Sequence, residues 1–203
     1  MKLYYSPGAC SLHPHIALRE AGLPFELVRV DTRAHKLGGS GDDYYAVNPK
    51  GYVPLLELDD GTRLTEGAVI DQYIADQKPD AGLMPPAGTM ARYRAQEWLN
   101  FIATELHKQF SPIFSPATPD AMKEILRAKI AGRFDLIEKT LEKQPYLLGD
   151  KFTAPDGYLF NMVRWTEFTG IDRSKWPAIV SFFERVKARP TVQAALEAEK
   201  GKS

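Results

Sequence analysis

The sequence contains a single cysteine, Cys10, among 203 residues. That excludes an intramolecular disulfide, a Cys-x-x-Cys redox motif and a cysteine-rich zinc site. Only four histidines are present, His13, His15, His35 and His107. His13 and His15 are two apart and diverge on a helix, so no metal constellation appears and none is expected. Neither sign of charge is in excess, with 26 basic and 26 acidic residues. This removes the electrostatic case for nucleic acid or an anionic membrane as partner. No apolar run approaches the length of a membrane span. Residues 1–5 read directly as a strand, so no signal peptide is expected. No internal repeat or low-complexity tract is found. These absences point to a soluble protein of a reducing, cytoplasmic compartment.

What is present builds a real core: apolar residues make up 44% of the chain. Strand and helix signals alternate through the first eighty residues. Lys2–Tyr5 is a short strand, and residues 11–21 read as a helix with Leu12 and Ile16 four apart. Gly22 suits the end of that helix, and Pro24 prevents its resumption. Residues 25–30 form a strand, and the glycine-rich stretch 33–43 reads as a loop followed by a short helix. Residues 53–58 and 63–65 are strands around the Asp59-Asp60-Gly61 turn, and a helix follows over 67–76. The strand-helix-strand start implies a parallel pair, and the hairpin adds antiparallel strands.

Residues 78–88 hold three prolines and two glycines and read as a linker. Beyond it the pattern is helical, with segments over 90–109, 121–141 and 177–189, the last stopped by Pro190. Thr153-Ala154-Pro155-Asp156 opens a further helix as a capping box variant, with Asp156 reaching back to Thr153.

Four features carry chemistry. A lone cysteine is usually a small buried hydrophobe. Cys10 instead follows a proline-glycine loop and stands at a helix start, where partial positive charge favours a thiolate. Its pKa is expected about 1–2 below the free value of about 8.5. Val53-Pro54 is either an ordinary trans proline entering an edge strand or a cis bond that frees the Val53 backbone to pair with an extended peptide. Glu66 and Gly67 stand at a strand-to-helix junction. Its N–H groups suit a carboxylate and Glu66 suits an amine, although on this motif alone plain helix charge complementarity is the stronger reading. Asn100, Thr104, His107 and Lys108 put polar groups on one helix face, which solvation alone would also explain.

Five stretches resemble bacterial glutathione transferases of the beta class. They are Pro7-Gly8-Ala9-Cys10-Ser11-Leu12, Asn48-Pro49-Lys50-Gly51-Tyr52-Val53-Pro54, Leu64-Thr65-Glu66-Gly67, Glu97-Trp98-Leu99-Asn100 with Glu105-Leu106-His107-Lys108, and Phe152-Thr153-Ala154-Pro155-Asp156. The resemblance spans essentially the whole chain. It implies an α/β thioredoxin-like N-terminal domain over 1–80, an all-α domain over 88–203, and a homodimer. It implies glutathione as cosubstrate and no metal. A cis Val53-Pro54 would hold the tripeptide backbone, and Glu66 and Gly67 its γ-glutamyl end. Cys10 would face the sulfur. His35 or Lys36 would supply a basic ligand, and Asn100, Thr104, Glu105 and His107 would line the site, some across the dimer. Gly67 stands where the wider family has a serine, so a hydroxyl contact is lost.

Conjugation is the leading expectation, with the glutathione thiolate attacking an apolar electrophile. Tyr5, Cys10, Ser11 and His107 are the candidate donors to sulfur. Phe110, Ile113, Phe114 and Trp165 are candidate walls of a second-substrate pocket, or simply helix core. Rival readings are thiol-disulfide or peroxide chemistry through a Cys10–glutathione mixed disulfide, and a non-catalytic ligand-binding protein.

Overall fold

A computed structural model describes residues 1–200. β1 (Lys2–Tyr5), α1 (Leu12–Ala21) and β2 (Glu26–Asp31) form a strand-helix-strand unit, with Leu3 opposite Leu27 in a parallel pair. β4 (Leu55–Glu57) runs antiparallel to β1, and β5 (Arg63–Thr65) returns beside it. The glycine-rich stretch expected as loop contains a further short strand, β3 (Lys36–Leu37), antiparallel to β2. The sheet order is β3-β2-β1-β4-β5, so β1 is its central strand.

Side chains alternate across a strand. On one face of the sheet Tyr4, Val30, Tyr44, Val53 and Leu55 form a buried cluster. Leu3 and Tyr5 are buried on the other. α1 ends at Gly22, whose φ of 64° is the left-handed conformation that glycine adopts without penalty. α2 (Gly67–Gln77) packs against α1.

The chain divides into two compact units, residues 1–83 together with the chain from Pro190, and residues 84–189. The sequence reading placed everything from 88 onward in one helical domain and ended the last helix at Pro190. Instead Pro190 opens α9 (Pro190–Lys200), which packs on α1 of the first unit. A proline in the first turn costs no hydrogen bond, because its missing N–H has no intrahelical partner there.

The second unit is all helical. It comprises α3 (Met90–Phe101), a π-helical stretch (Ile102–His107), α4 (Lys108–Ile113), α5 (Asp120–Leu141), α6 (Ala154–Arg164), α7 (Thr166–Thr169) and α8 (Pro177–Lys187). Its core includes the fully buried Ile102, Leu106, Phe110, Phe134, Leu159 and Phe182. Carboxylates satisfy two helix starts. Asp156 accepts the Thr153 N–H at 2.8 Å and its hydroxyl at 2.7 Å. Glu138 accepts the N–H groups of Ala178 and Ile179 at 2.8 and 2.9 Å. No helix of the described residues is long and apolar enough to cross a membrane.

Candidate functional site

In the first unit, Cys10 ends the loop between β1 and α1. Ser11, the N-cap of α1, uses its hydroxyl to tie that loop: it donates to the Ser6 carbonyl and accepts the Ser6 N–H, both at 3.2 Å. Gly8 donates its N–H to Glu199 of α9 at 3.0 Å. The other Glu199 oxygen lies 3.1 Å from Nδ1 of the buried His15. Arg19 donates to His15 Nε2 at 2.8 Å. Arginine only donates, so Nε2 is the acceptor and Nδ1 carries the proton toward Glu199.

The Cys10 thiol donates to the Val53 carbonyl oxygen at 3.2 Å. Burial pushes its pKa up to about 12, while the backbone N–H groups of Cys10 and Ser11 pull the other way without prevailing. The depressed value expected from sequence is therefore reversed. Cys10 is only partly exposed, and desolvation of its sulfur outweighs the favourable helix start.

Val53-Pro54 is cis. The Tyr52 carbonyl just before it accepts from the Tyr44 hydroxyl at 2.8 Å and from Asn48 Nδ2 at 2.7 Å. Glu66 caps α2 with φ 68° and ψ 104°, an unusual backbone for a residue with a side chain. Such outliers persist where surrounding structure holds them, often at functional sites. Its carboxylate is exposed and 2.8 Å from Lys50 Nζ, which also donates to Thr65 Oγ1 at 3.0 Å. Lys50 was not among the residues picked from sequence, although it lies within one of the matched stretches.

Of the two basic candidates, His35 has φ 52° and stacks on Tyr45 at 4.4 Å. Lys36 lies on β3 and is exposed. Tyr5 is buried, 6.4 Å from the His15 ring, and burial raises the pKa of its hydroxyl.

In the second unit the π-helical stretch carries Thr104, Glu105 and His107. Such stretches insert extra residues into a helix and recur at functional sites. Asn100 and Thr104 are exposed, and Thr104 donates to the Asn100 carbonyl at 3.0 Å. Glu105 instead pairs with Arg133 of α5, at 2.9 Å from Nε and 2.8 Å from the second guanidinium nitrogen. His107 Nδ1 lies 2.6 Å from the Tyr158 hydroxyl of α6. Tyr158 is a partner that the spacing of residues in the chain does not reveal. Trp165 gathers His107, Phe110 and Phe114 around it, all edge-on, at 5.1, 5.8 and 5.2 Å. Phe110 and Ile113 are buried, whereas Phe114 is exposed. Among the described residues no group of three or more His, Cys, Asp or Glu is placed to hold a metal.

Residues 8–77 match the family model described as Glutathione S-transferase, N-terminal domain, and 101–190 the one described as Glutathione S-transferase, C-terminal domain. The chain is 48% identical over 199 residues, 98% of each sequence, to glutathione S-transferase GstA of Escherichia coli O157:H7. Its structure is similar to that of a ternary complex of BphK, a bacterial GST, with TM-score 0.97, 54% identity and 99% and 100% of the two chains covered. A sphingomonad glutathione S-transferase complexed with glutathione aligns with TM-score 0.95 at 44% identity over the whole of both chains. A beta class enzyme of Sphingomonas chungbukensis aligns at 0.94, with 46% identity over 98% of each.

Proposed function

Because the chain belongs to the glutathione S-transferase family, we propose that it conjugates the glutathione thiolate to apolar electrophiles. The glutathione sulfur forms a bond to an electrophilic carbon. A leaving group departs with its electron pair, and the thiol proton passes to water. Attack is fast when the tripeptide is held and its sulfur activated in place.

The carrying observation is the strained Glu66 N-cap of α2 beside Gly67. An α-amino acid terminus needs a carboxylate for its amine and N–H groups for its carboxylate, and this junction offers both. Val53 and Pro54 take the tripeptide backbone. Lys36 takes the glycine carboxylate in preference to His35, whose ring is occupied by Tyr45. Cys10 faces the sulfur as a neutral thiol whose S–H is held by the Val53 carbonyl. In the second unit Asn100 and Thr104 are exposed and open to a ligand, while Glu105 is already paired with Arg133. Tyr5 and Ser11 play no direct part, since one is buried and the other ties Ser6. Phe114 is the exposed member of the second-substrate wall that Phe110, Ile113 and Trp165 support from behind.

A thiol with a pKa of about 12 is a poor nucleophile at neutral pH, so the mixed-disulfide reading is the weaker one. The enzyme is further proposed to be a cytoplasmic homodimer, with the exposed apolar Met90 and Tyr93 of α3 available for self-association. Calorimetric titration with glutathione and steady-state turnover of an activated aryl halide test the function. Saturable binding with conjugate formation is expected. Binding without turnover favours the ligand-storage reading, and no binding refutes both.

A further inference from the structure

We infer that His13 is a positioning residue for the glutathione site, whose ring seats the first turn of α2 and makes glycine obligatory at 67. The inference rests on the reading of that turn as the γ-glutamyl site. Gly67 has no left-handed backbone, so conformation does not demand glycine there. Space does. A Cβ on Gly67 would lie 2.5 Å from both Cε1 and Nε2 of His13. The tip of a mobile side chain would yield, but this ring cannot. Its Nδ1 is 2.7 Å from Asp71 Oδ2, and both side chains are about fully buried, each with 1% exposure.

His13 thereby joins three parts of the site. Its backbone N–H donates to the Cys10 carbonyl at 3.4 Å. Its ring lies against Gly67, the residue after Glu66. Asp71, which holds the ring, is one turn further along α2. Asp71 has its other oxygen, Oδ1, without a hydrogen-bond partner, and burial raises its pKa while His13 lowers it. Such a buried polar pair contributes little stability over apolar packing of the same volume. What it adds is direction: it fixes the plane of the imidazole, and with it the distance between the start of α1 and the start of α2. A side chain at 67 would push the Glu66–Gly67 peptide away from the position in which it receives the ligand.

A size-swap cycle tests this, using wild type, Gly67→Ala, His13→Ala and the double variant. Glutathione affinity is read by calorimetry, together with KM for each substrate and kcat. Gly67→Ala is expected to raise KM for glutathione at least about tenfold and to leave KM for the aryl halide in place. In the His13→Ala background the same substitution should change glutathione affinity less than about twofold, since the obstacle is gone. If Gly67→Ala alone is insoluble, a soluble, glutathione-binding double variant gives the same answer. Wild-type affinity in Gly67→Ala, or a double variant no better than Gly67→Ala in folding and binding, overturns the inference. Failure of the wild type to bind glutathione overturns the functional reading instead.

Discussion

The Cys10 thiol points at the Val53 carbonyl oxygen, 3.2 Å away. The sulfur of the protein is thus bonded to the same backbone segment that is proposed to receive the tripeptide, and in that position it is a donor.

A thiol held in this way stays protonated through the neutral range. Its folded-state value of about 12 lies well above the free value of about 8.5. Any stability it contributes is therefore complete below the ordinary value and lost as pH rises through the folded one. Alkylation of Cys10 should show no inflection near neutrality and should accelerate toward pH 12. Cys10→Ala should keep part of the conjugating activity and lose any disulfide exchange. Alkylation rate against pH decides the first point, and an inflection between 7 and 8 would contradict the buried-thiol account.

Glu66 stands exposed and is paired with Lys50 at 2.8 Å. A surface pair of this kind contributes little to stability. Its carboxylate is then free to exchange lysine for an incoming amine. Glu66→Ala should weaken glutathione binding at least about tenfold, the order of a charge-assisted hydrogen bond, with little change in melting temperature. Unaltered calorimetric affinity would remove Glu66 from the site.

His107 and Tyr158 act as a unit, 2.6 Å apart. Tyr158→Phe keeps the packing and removes the hydroxyl, so the imidazole loses this hydrogen bond and not its surroundings. Turnover should fall by about fivefold, the scale of one lost hydrogen bond of about 1 kcal/mol, with KM for glutathione nearly unchanged. His107→Ala should lower turnover further while the melting temperature moves little. Equal turnover in both variants and wild type would make the pair structural.

Glu138 is a stability residue with no part in the chemistry. It is buried and accepts two N–H groups at the start of α8. Glu138→Ala leaves both without their partner, at about 1–3 kcal/mol each. The melting temperature should drop by several degrees while kcat/KM at 25 °C stays as in wild type; unchanged melting would show that water replaces the carboxylate.

Local chemistry made much of this legible. The Asp59-Asp60-Gly61 turn and the Thr153–Asp156 cap act over a few residues, and both stand where the pattern placed them. Residues 36–37 did not read as a strand because glycines surround them, and pairing with β2 decided the matter. The π-helical stretch has no signature in residue spacing, since Ile102 and Leu106 suit an α-helix equally. Cys10 shows the deeper limit. Its place at a helix start is written in the chain, but the desolvation of its sulfur comes from the tertiary packing, and its hydrogen-bond partner, Val53, is 43 positions away. Glu105 is similar: its spacing fits the polar face, and only the packing of α5 reveals Arg133 as its partner.

The bond between Gly8 and Glu199 gives the first loop a late partner. A chain grows from its amino end, and segments can fold as they emerge. The sheet and its two flanking helices are complete once residue 77 has been made. The carboxylate that grips Gly8 and His15 comes only with α9. A chain interrupted anywhere between 84 and 189 would carry Cys10, Lys36, Val53, Pro54, Glu66 and Gly67 and still lack the clasp on the loop that leads to Cys10.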